Sequence, residues 1–533
     1  MQLILALLVL AAAWSTLRHQ AATGSGAGRM PACWALLPLD AAPIALTWWF
    51  LLATTDRPVT SAIAVAAIAA GLLVADVVKR TTLKEPLVFA DRAELLEVVR
   101  HPGLYLPFAG PARVIGGAML ALAAIAVLLW LEPAWPSPSP LLPGALILVA
   151  TSLPAWPPAL AALARLYRAA HPTEDPATDM RRFGFLACLI VHATLARHER
   201  PGRRAAMLAL PAATPGGPLI LVQLESFFDA RRLGPPVPPN LLPGFDALER
   251  SAVQSGLLDV PCWGANTVRT EFAVLTGTPQ ATLGLDRFNP YERFAQLPIA
   301  SLAWQMKRAG YRTFCVHPFD KGFYARDRVM PLLGFDEFRG PAAFVGAATT
   351  GPYVSDEAVA QEVIRILGAH GPRVFVFAIT MGNHGPWDAA VHPPVEDWPD
   401  ALDAIPEAGP LRHFAAGLQA TDRMLPPLMA AMPAGGLLAV YGDHQPSLPA
   451  AFAAIGFDDP RTDYAIFRPG AAQPGEPSSP HTDLRAQDLA SLLLNLHGIL
   501  PCIKGRDPAP EQEAGLLEAM HGTRAEHSAH RGR

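Results

Sequence analysis

Near residue 443 the chain reads Ala439-Val440-Tyr441-Gly442-Asp443-His444. An apolar run stops there and gives way to a carboxylate beside an imidazole. Such a pair at the carboxyl end of a short strand offers a hard oxygen and a nitrogen to one divalent metal. Two other apolar runs end in a comparable way. Leu219 to Leu224 runs into Glu225, and Val374 to Ile379 runs into Thr380-Met381-Gly382-Asn383-His384. Any one of these alone reads more readily as a strand followed by a polar turn. The three together, with Thr267 between them, predict an α/β metalloenzyme whose site lies at the strand ends.

Thr267 follows Trp263-Gly264-Ala265-Asn266, a turn sequence, and the apolar run from Phe272 predicts a helix. A hydroxyl in that place is ordinarily an N-cap. Beside a metal it becomes a candidate nucleophile, because a coordinated oxygen ionises more easily. The start of a helix also favours a negative phosphoryl group. His317 reads as a strand-end histidine or a site group with equal weight. Asp422, on a predicted helix, reads as a surface or capping residue.

The elements that must position these groups come in two halves. Of 533 residues, 51% are hydrophobic and 17% charged, below the roughly one quarter charged of a soluble domain. The excess lies in the first 165 residues, which are predicted to be a membrane domain of about five helices. The apolar stretches are Met1–Trp14, Ala32–Thr54, Ser61–Val78, Pro111–Trp130 and Leu141–Leu163. The stretch from Asp91 to Val99 is amphipathic and suits a membrane surface. Residues 166–217 read as an interfacial and linker segment. Phe183–Ala196 within it is either a short sixth span or an interfacial helix, and Pro201–Pro218 is a Pro/Gly/Ala-rich linker.

From 218 to 515 strands alternate with helices, which predicts a doubly wound α/β domain. Tyr311–His317 and Tyr464–Arg468 are further strands, and Asp356–Ala369 and Asp488–Leu496 are helices. Residues 516–533 read as a disordered tail. The net charge of −4 and the lack of a basic block argue against a nucleic-acid partner. Five cysteines include no CxxC pair. Cys262 and Cys315 are open between a disulfide and two buried thiols. No GxxxxGK phosphate loop is present, which disfavours nucleotide hydrolysis.

Four motifs carry a family resemblance: Leu224-Glu225-Ser226-Phe227, Thr267-Val268-Arg269-Thr270-Glu271-Phe272, Asn383-His384-Gly385-Pro386-Trp387 and Tyr441-Gly442-Asp443-His444. In type and order they resemble the sulfatase-fold phosphoglycerol transferases of the alkaline phosphatase superfamily, such as lipoteichoic acid synthase and the phosphoglycerol transferases of periplasmic glucans. The multi-span N-terminal half and Lys84-Glu85-Pro86-Leu87 resemble that family too. The resemblance implies one divalent ion (manganese, with magnesium or zinc as alternatives) held by Glu225, Thr267, Asp443 and His444. Thr267 would also be the nucleophile, and His384 would contact phosphate or assist proton transfer. Arg326, Tyr324, Asp320 and His317 would form the head-group pocket. Tyr324 stands where lipoteichoic acid synthase has tryptophan, and Asp320 is one position displaced from that enzyme's aspartate. His481-Thr482-Asp483 begins a C-terminal segment like the superfamily's.

The implied reaction moves glycerophosphate from phosphatidylglycerol to an envelope glycan or polymer through a phospho-threonine. Rival readings are a phosphoethanolamine transferase, a sulfatase or phosphodiesterase of the same superfamily, and a non-catalytic envelope sensor or binding protein. A sulfatase would need Cys/Ser-x-Pro-x-Arg where Thr267 stands. The resemblance implies a bacterial inner-membrane protein with its catalytic domain outside. Basic residues after the first and third spans favour the inside if there are five spans, and a sixth crossing at 183–196 would remove the conflict.

Overall fold

The computed structural model describes residues 1–22, 33–136, 139–199, 216–235, 237–294, 298–388, 395, 398–471 and 481–498. The predicted linker, apart from 216–218, and the predicted tail lie outside them. In the N-terminal part, α1 (Gln2–Ala22), α2 (Leu37–Thr55) and α3 (Pro58–Leu83) are long and apolar enough to cross a membrane. Two short helices, α4 (Glu94–Arg100) and α5 (Pro102–Ala109), precede the fourth such helix, α6 (Pro111–Leu131). No residue of α6 is buried, as suits a helix facing lipid.

The fifth predicted span is not one straight helix. α7 (Leu141–Ser152) and α8 (Pro157–Arg168) meet at a 90° bend. Pro154, Pro157 and Pro158 remove backbone donors, and Trp156 takes the extended conformation that precedes proline. After α9 (Pro176–Phe183), the stretch read as a sixth span or interfacial helix forms α10 (Phe185–Glu199). It has 15 residues, which is short for a crossing. Phe185, Ala187, Cys188, Val191 and Leu195 bury one side of it against the other helices.

Buried acids hold the bundle together by meeting helix ends. Asp40 accepts Trp14 Nε1 (2.8 Å), Arg18 (3.1 Å) and the backbone N–H groups of Leu186 and Ala187 at the start of α10. Glu132 accepts the N–H groups of Val59 and Thr60 at the start of α3 (2.8 and 2.7 Å). Each satisfies donors that hydrocarbon could not. The Arg18–Asp40 pair lies beyond Trp14, so α1 continues past its predicted end.

The second half is built on an eight-stranded sheet. Its strands are β1 (Leu219–Leu224), β2 (Ala252–Asp259), β3 (Arg312–Val316), β4 (Glu337–Arg339), β7 (Val374–Ile379), β8 (Leu437–Gly442), β9 (Thr462–Phe467) and β10 (Leu484–Arg485). A separate hairpin pairs β5 (Thr349–Thr350) with β6 (Tyr353–Val354). The sheet order is β10-β2-β9-β8-β1-β7-β3-β4, and only β9 runs antiparallel to its neighbours. Ile220, Val222, Val376 and Val440 face one apolar core. Leu221, Phe375, Phe377 and Ala439 face the other. Both faces are covered, so the central strands read as unbroken apolar runs. The predicted helices form at Asp356–His370 and Leu489–Leu496.

Cys262 and Cys315 are buried free thiols. Cys262 instead lies 3.3 Å from the Thr270 hydroxyl. Asp422 is buried rather than on the surface. It caps α11 (Pro243–Arg250), accepting the N–H groups of Gly244 and Phe245, each at 2.7 Å. Asp422→Ala is therefore expected to cost about 1–2 kcal/mol. Thermal unfolding of the full chain in detergent should show a lower midpoint, partly restored by Asp422→Asn. An unchanged midpoint in Asp422→Ala would remove the cap from the account.

Candidate active site

Parallel pairing aligns three strand ends. In β1, Gln223 lies beside Ile379 of β7 and Tyr441 of β8, and Leu224 lies beside Gly442. The residues that follow, Glu225, Thr380 and Asp443, emerge at one edge. The Thr380 hydroxyl accepts the Glu225 N–H at 2.9 Å. Gly442 is required by crowding, since a Cβ there would lie 1.8 Å from the Phe227 carbonyl oxygen.

Glu225, Asp443 and His444 each place a ligating atom within 4.8 Å of the others, and all three are buried. His444 Nε2 lies 3.3 Å from Asp443 Oδ2 and 3.7 Å from Glu225 Oε1. Its Nδ1 lies 2.9 Å from the Gln445 carbonyl. A carbonyl only accepts, so Nδ1 carries the proton and Nε2 presents a lone pair. Asp443 Oδ1 accepts the N–H groups of Ser226 and His444, both at 2.8 Å. Its Oδ2 is buried without a partner. Burial, reinforced by Asp443, pushes the Glu225 carboxyl up to about 8. An orphaned carboxylate oxygen, a second buried acid and a free imidazole nitrogen are the donor set that fits a divalent cation.

Thr267 is the first residue of α12 (Thr267–Thr276), and Asn266 before it is left-handed at φ 66°. The threonine is therefore not the cap. Its Oγ1 lies 3.4 Å from His444 Nε2, so the hydroxyl joins the three-residue cluster. All four residues of the expected ligand set meet at one place.

The head-group residues fall into two sets. Arg326 is buried and holds Glu271 through Nη2 (2.8 Å) and Nε (3.2 Å). Its Nη1 donates to His317 Nε2 at 3.3 Å, while His317 Nδ1 faces the Ile379 carbonyl. His317 is thereby held as the neutral tautomer, and burial and Arg326 lower its pKa well below the ordinary value. Tyr324, left-handed at φ 55°, lies against Arg326 with the guanidinium 5.4 Å from its ring. Asp320 is turned away: it is half exposed and lies 3.5 Å from His101. His384 keeps Nδ1 on the Gly385 carbonyl at 2.7 Å, which leaves Nε2 open, and burial lowers its pKa. His481 is exposed and bridges to Ser255.

Sequence reasoning missed Glu271, whose buried carboxylate orients Arg326 and also accepts the Tyr291 hydroxyl. The signal was present: Glu271 sits four residues after Thr267, one turn along the same helix face.

One cavity of about 1200 Å³ joins these groups to the membrane half. Glu225, Thr267, His384 and His444 line one part, and Leu72, Ala75 and Val78 of α3 with Leu189, Ile190 and Ala193 of α10 line another. Residues 91–99, expected at a membrane surface, contribute Asp91, Arg92, Glu94 and Val98 to its wall.

Residues 219–499 match the sulfatase family model. The chain belongs to the sulfatase family. A curated relative, the capsular polysaccharide biosynthesis protein RkpI of Rhizobium meliloti, is 31% identical over 453 residues, covering 78% of this chain and 79% of that protein. A Rhizobium meliloti protein named for cyclic beta-1,2-glucan modification is 29% identical over 300 residues, 53% of this chain and 46% of that protein. Among solved structures, lipoteichoic acid synthase LtaP from Listeria monocytogenes superposes with a TM-score of 0.44 at 22% identity, covering 54% of this chain and 74% of that one. Phosphoglycerol transferase GacH from Streptococcus pyogenes gives 0.44 at 18% identity, covering 67% and 90%. The chain is thus a sulfatase-family enzyme with an apolar, multi-helix N-terminal part.

The raised Glu225 pKa carries a consequence for metal binding. Below about 8 a cation must displace its proton, so affinity should weaken by about tenfold per pH unit as pH falls. Calorimetric titration of the full chain with Mn at several pH values checks this. A flat affinity across that range would show that metal binding displaces no proton from Glu225.

Proposed function

We propose that this chain is a membrane-anchored, metal-dependent phosphoglycerol transferase. It takes glycerophosphate from phosphatidylglycerol and passes it to a hydroxyl of an envelope glycan or polymer. The observation that carries this reading is the continuous cavity. Polar groups suited to a phosphodiester line one part, and apolar helix faces suited to acyl chains line another. A lipid donor needs both at once. The polysaccharide-related names of the two Rhizobium meliloti relatives support a glycan acceptor.

Glu225, Thr267, Asp443 and His444 would hold the ion. When bound, it would supply Lewis-acid stabilisation and ease ionisation of a nearby hydroxyl. The Thr267 hydroxyl gives up its proton as its oxygen attacks phosphorus, and the bond from phosphorus to the diacylglycerol oxygen breaks. The leaving oxygen takes up that proton, and diacylglycerol departs. Attack of an acceptor hydroxyl on the same phosphorus then breaks the bond to Thr267, whose oxygen is reprotonated as the acceptor hydroxyl gives up its proton. The open Nε2 of His384 is suited to accept that proton, since burial keeps the ring neutral. Arg326 and His317 lie where the glycerophosphate end would rest, and Tyr324 would pack beside it. The start of α12 favours the phosphoryl charge. Asp320 would act only from the rim.

Thr267→Ala in the full chain is expected to reduce turnover by several orders of magnitude without loss of fold. Vesicles of phosphatidylglycerol should release diacylglycerol, and vesicles of phosphatidylethanolamine should not. Release from phosphatidylethanolamine alone would identify an ethanolamine phosphate transferase instead. Activity should also persist below the ordinary histidine range, because the His384 pKa is lowered, and fall once that ring is protonated. A pH profile of kcat that drops near the ordinary histidine value would contradict the role given to His384. Alkaline phosphatase and β-galactosidase fused after residue 205 should report a catalytic domain outside the cytoplasmic membrane. Silent phosphatase with active β-galactosidase would defeat the envelope-glycan reading.

A further inference from the structure

The segment that leaves the third spanning helix docks on the turn that carries Thr267. Glu85, two residues beyond α3, takes both ends of the Arg269 guanidinium: Nη1 to Oε2 at 2.9 Å and Nη2 to Oε1 at 2.7 Å. Arg269 lies two residues after Thr267 in the first turn of α12, is buried, and spends its Nε on the Phe288 carbonyl at 3.1 Å. Lys79 closes the other side of Glu85 at 2.9 Å and also holds Asp91 at 2.8 Å.

Three neighbouring contacts point to the same docking. The Ser447 hydroxyl donates to the Thr82 carbonyl at 2.8 Å. Gly264 is so close to that carbonyl that a Cβ would lie 2.6 Å from its oxygen. Lys84 Nζ sits 3.1 Å from the centre of the Trp263 ring. Residues 79–85 thus brace 263, 264 and 269 on either side of Thr267, and 447 beyond the His444 loop.

Asn266 is left-handed and makes no side-chain cap to α12. A forked guanidinium–carboxylate pair fixes orientation as well as distance. We propose that Glu85 is a positioning residue for transfer, which through Arg269 aims Thr267 at the phosphorus. The membrane half would then complete the catalytic geometry as well as anchor the enzyme. This rests on the reading of Thr267 as nucleophile.

The test uses the full chain in detergent with two substrates, phosphatidylglycerol and the soluble diester bis-p-nitrophenyl phosphate. Glu85→Gln should lower kcat on both by about 100-fold, the loss typical of a reacting group displaced by an ångström. KM should stay unchanged, and Mn affinity, carried mainly by Glu225, Asp443 and His444, should fall far less than kcat. The exchanged pair, Glu85→Arg with Arg269→Glu, should recover much of the loss and covers the case in which Glu85→Gln does not fold. Wild-type kcat in Glu85→Gln would overturn the proposal. So would a loss that follows Mn binding and is not recovered by the exchanged pair. Wild-type turnover of the soluble diester without turnover of phosphatidylglycerol would refute the lipid donor while leaving the Glu85 comparison intact.

Discussion

Two carboxylates, Glu225 and Asp443, are buried at the ends of adjacent parallel strands; Ser226 Oγ donates to Glu225 Oε1 at 2.9 Å, while Asp443 Oδ2 has no hydrogen-bond partner. Burying one uncompensated charge is costly, and burying two side by side adds their repulsion. A fold keeps such a pair when something of opposite charge occupies the space between. Much of the catalytic half can be read as support for that pair. The register of β1 and β8 sets their spacing, backbone N–H groups hold Asp443 Oδ1, and the Gln445 carbonyl turns the His444 lone pair toward them.

The next layer outward repeats the logic with internal partners. Arg326 and Glu271 are both buried, and each satisfies the other through a forked contact. Removing either would strand a charge. The pair leaves Arg326 beside His317 and Tyr324 at the cavity wall. Arg269 and Glu85 form a second fork, with Arg269 buried and Glu85 half-buried. Burial would push the Glu85 carboxyl up, but Arg269 and Lys79 outweigh it and hold it at about 2. It therefore stays charged through the physiological range, and the contribution of the pair to stability is lost only as pH falls from the ordinary glutamate value toward about 2.

In the N-terminal half the constraint is different. Hydrocarbon offers no hydrogen bonds, so polar groups must be answered from within the protein. Asp40 and Glu132 do this by capping helices distant in sequence. Pro154 at the bend between α7 and α8, and residues of α4 and α5, line space beside the sheet edge. A cavity with one polar and one apolar part results.

The sequence by itself determined the two-part organisation, the apolar helices, the central strands and the four polar groups at their ends. Those features are local: apolar length, unbroken apolar strands covered on both faces, and abrupt polar termini leave marks along the chain. It also placed Thr267 before a helix. Tertiary structure alone decided the rest. The proline-rich stretch at 141–163 was apolar enough to pass as one span, yet its missing donors break it. Asp422 stayed open between surface and cap in the sequence because the N–H groups it caps lie on α11, far away in sequence. Asp320 shares a loop with Tyr324 and Arg326 but turns outward. The forks Arg326–Glu271 and Arg269–Glu85 join residues 55 and 184 positions apart. No spacing rule reaches so far: such pairs exist only once folding brings their charges together and removes the water that would otherwise have satisfied each one separately.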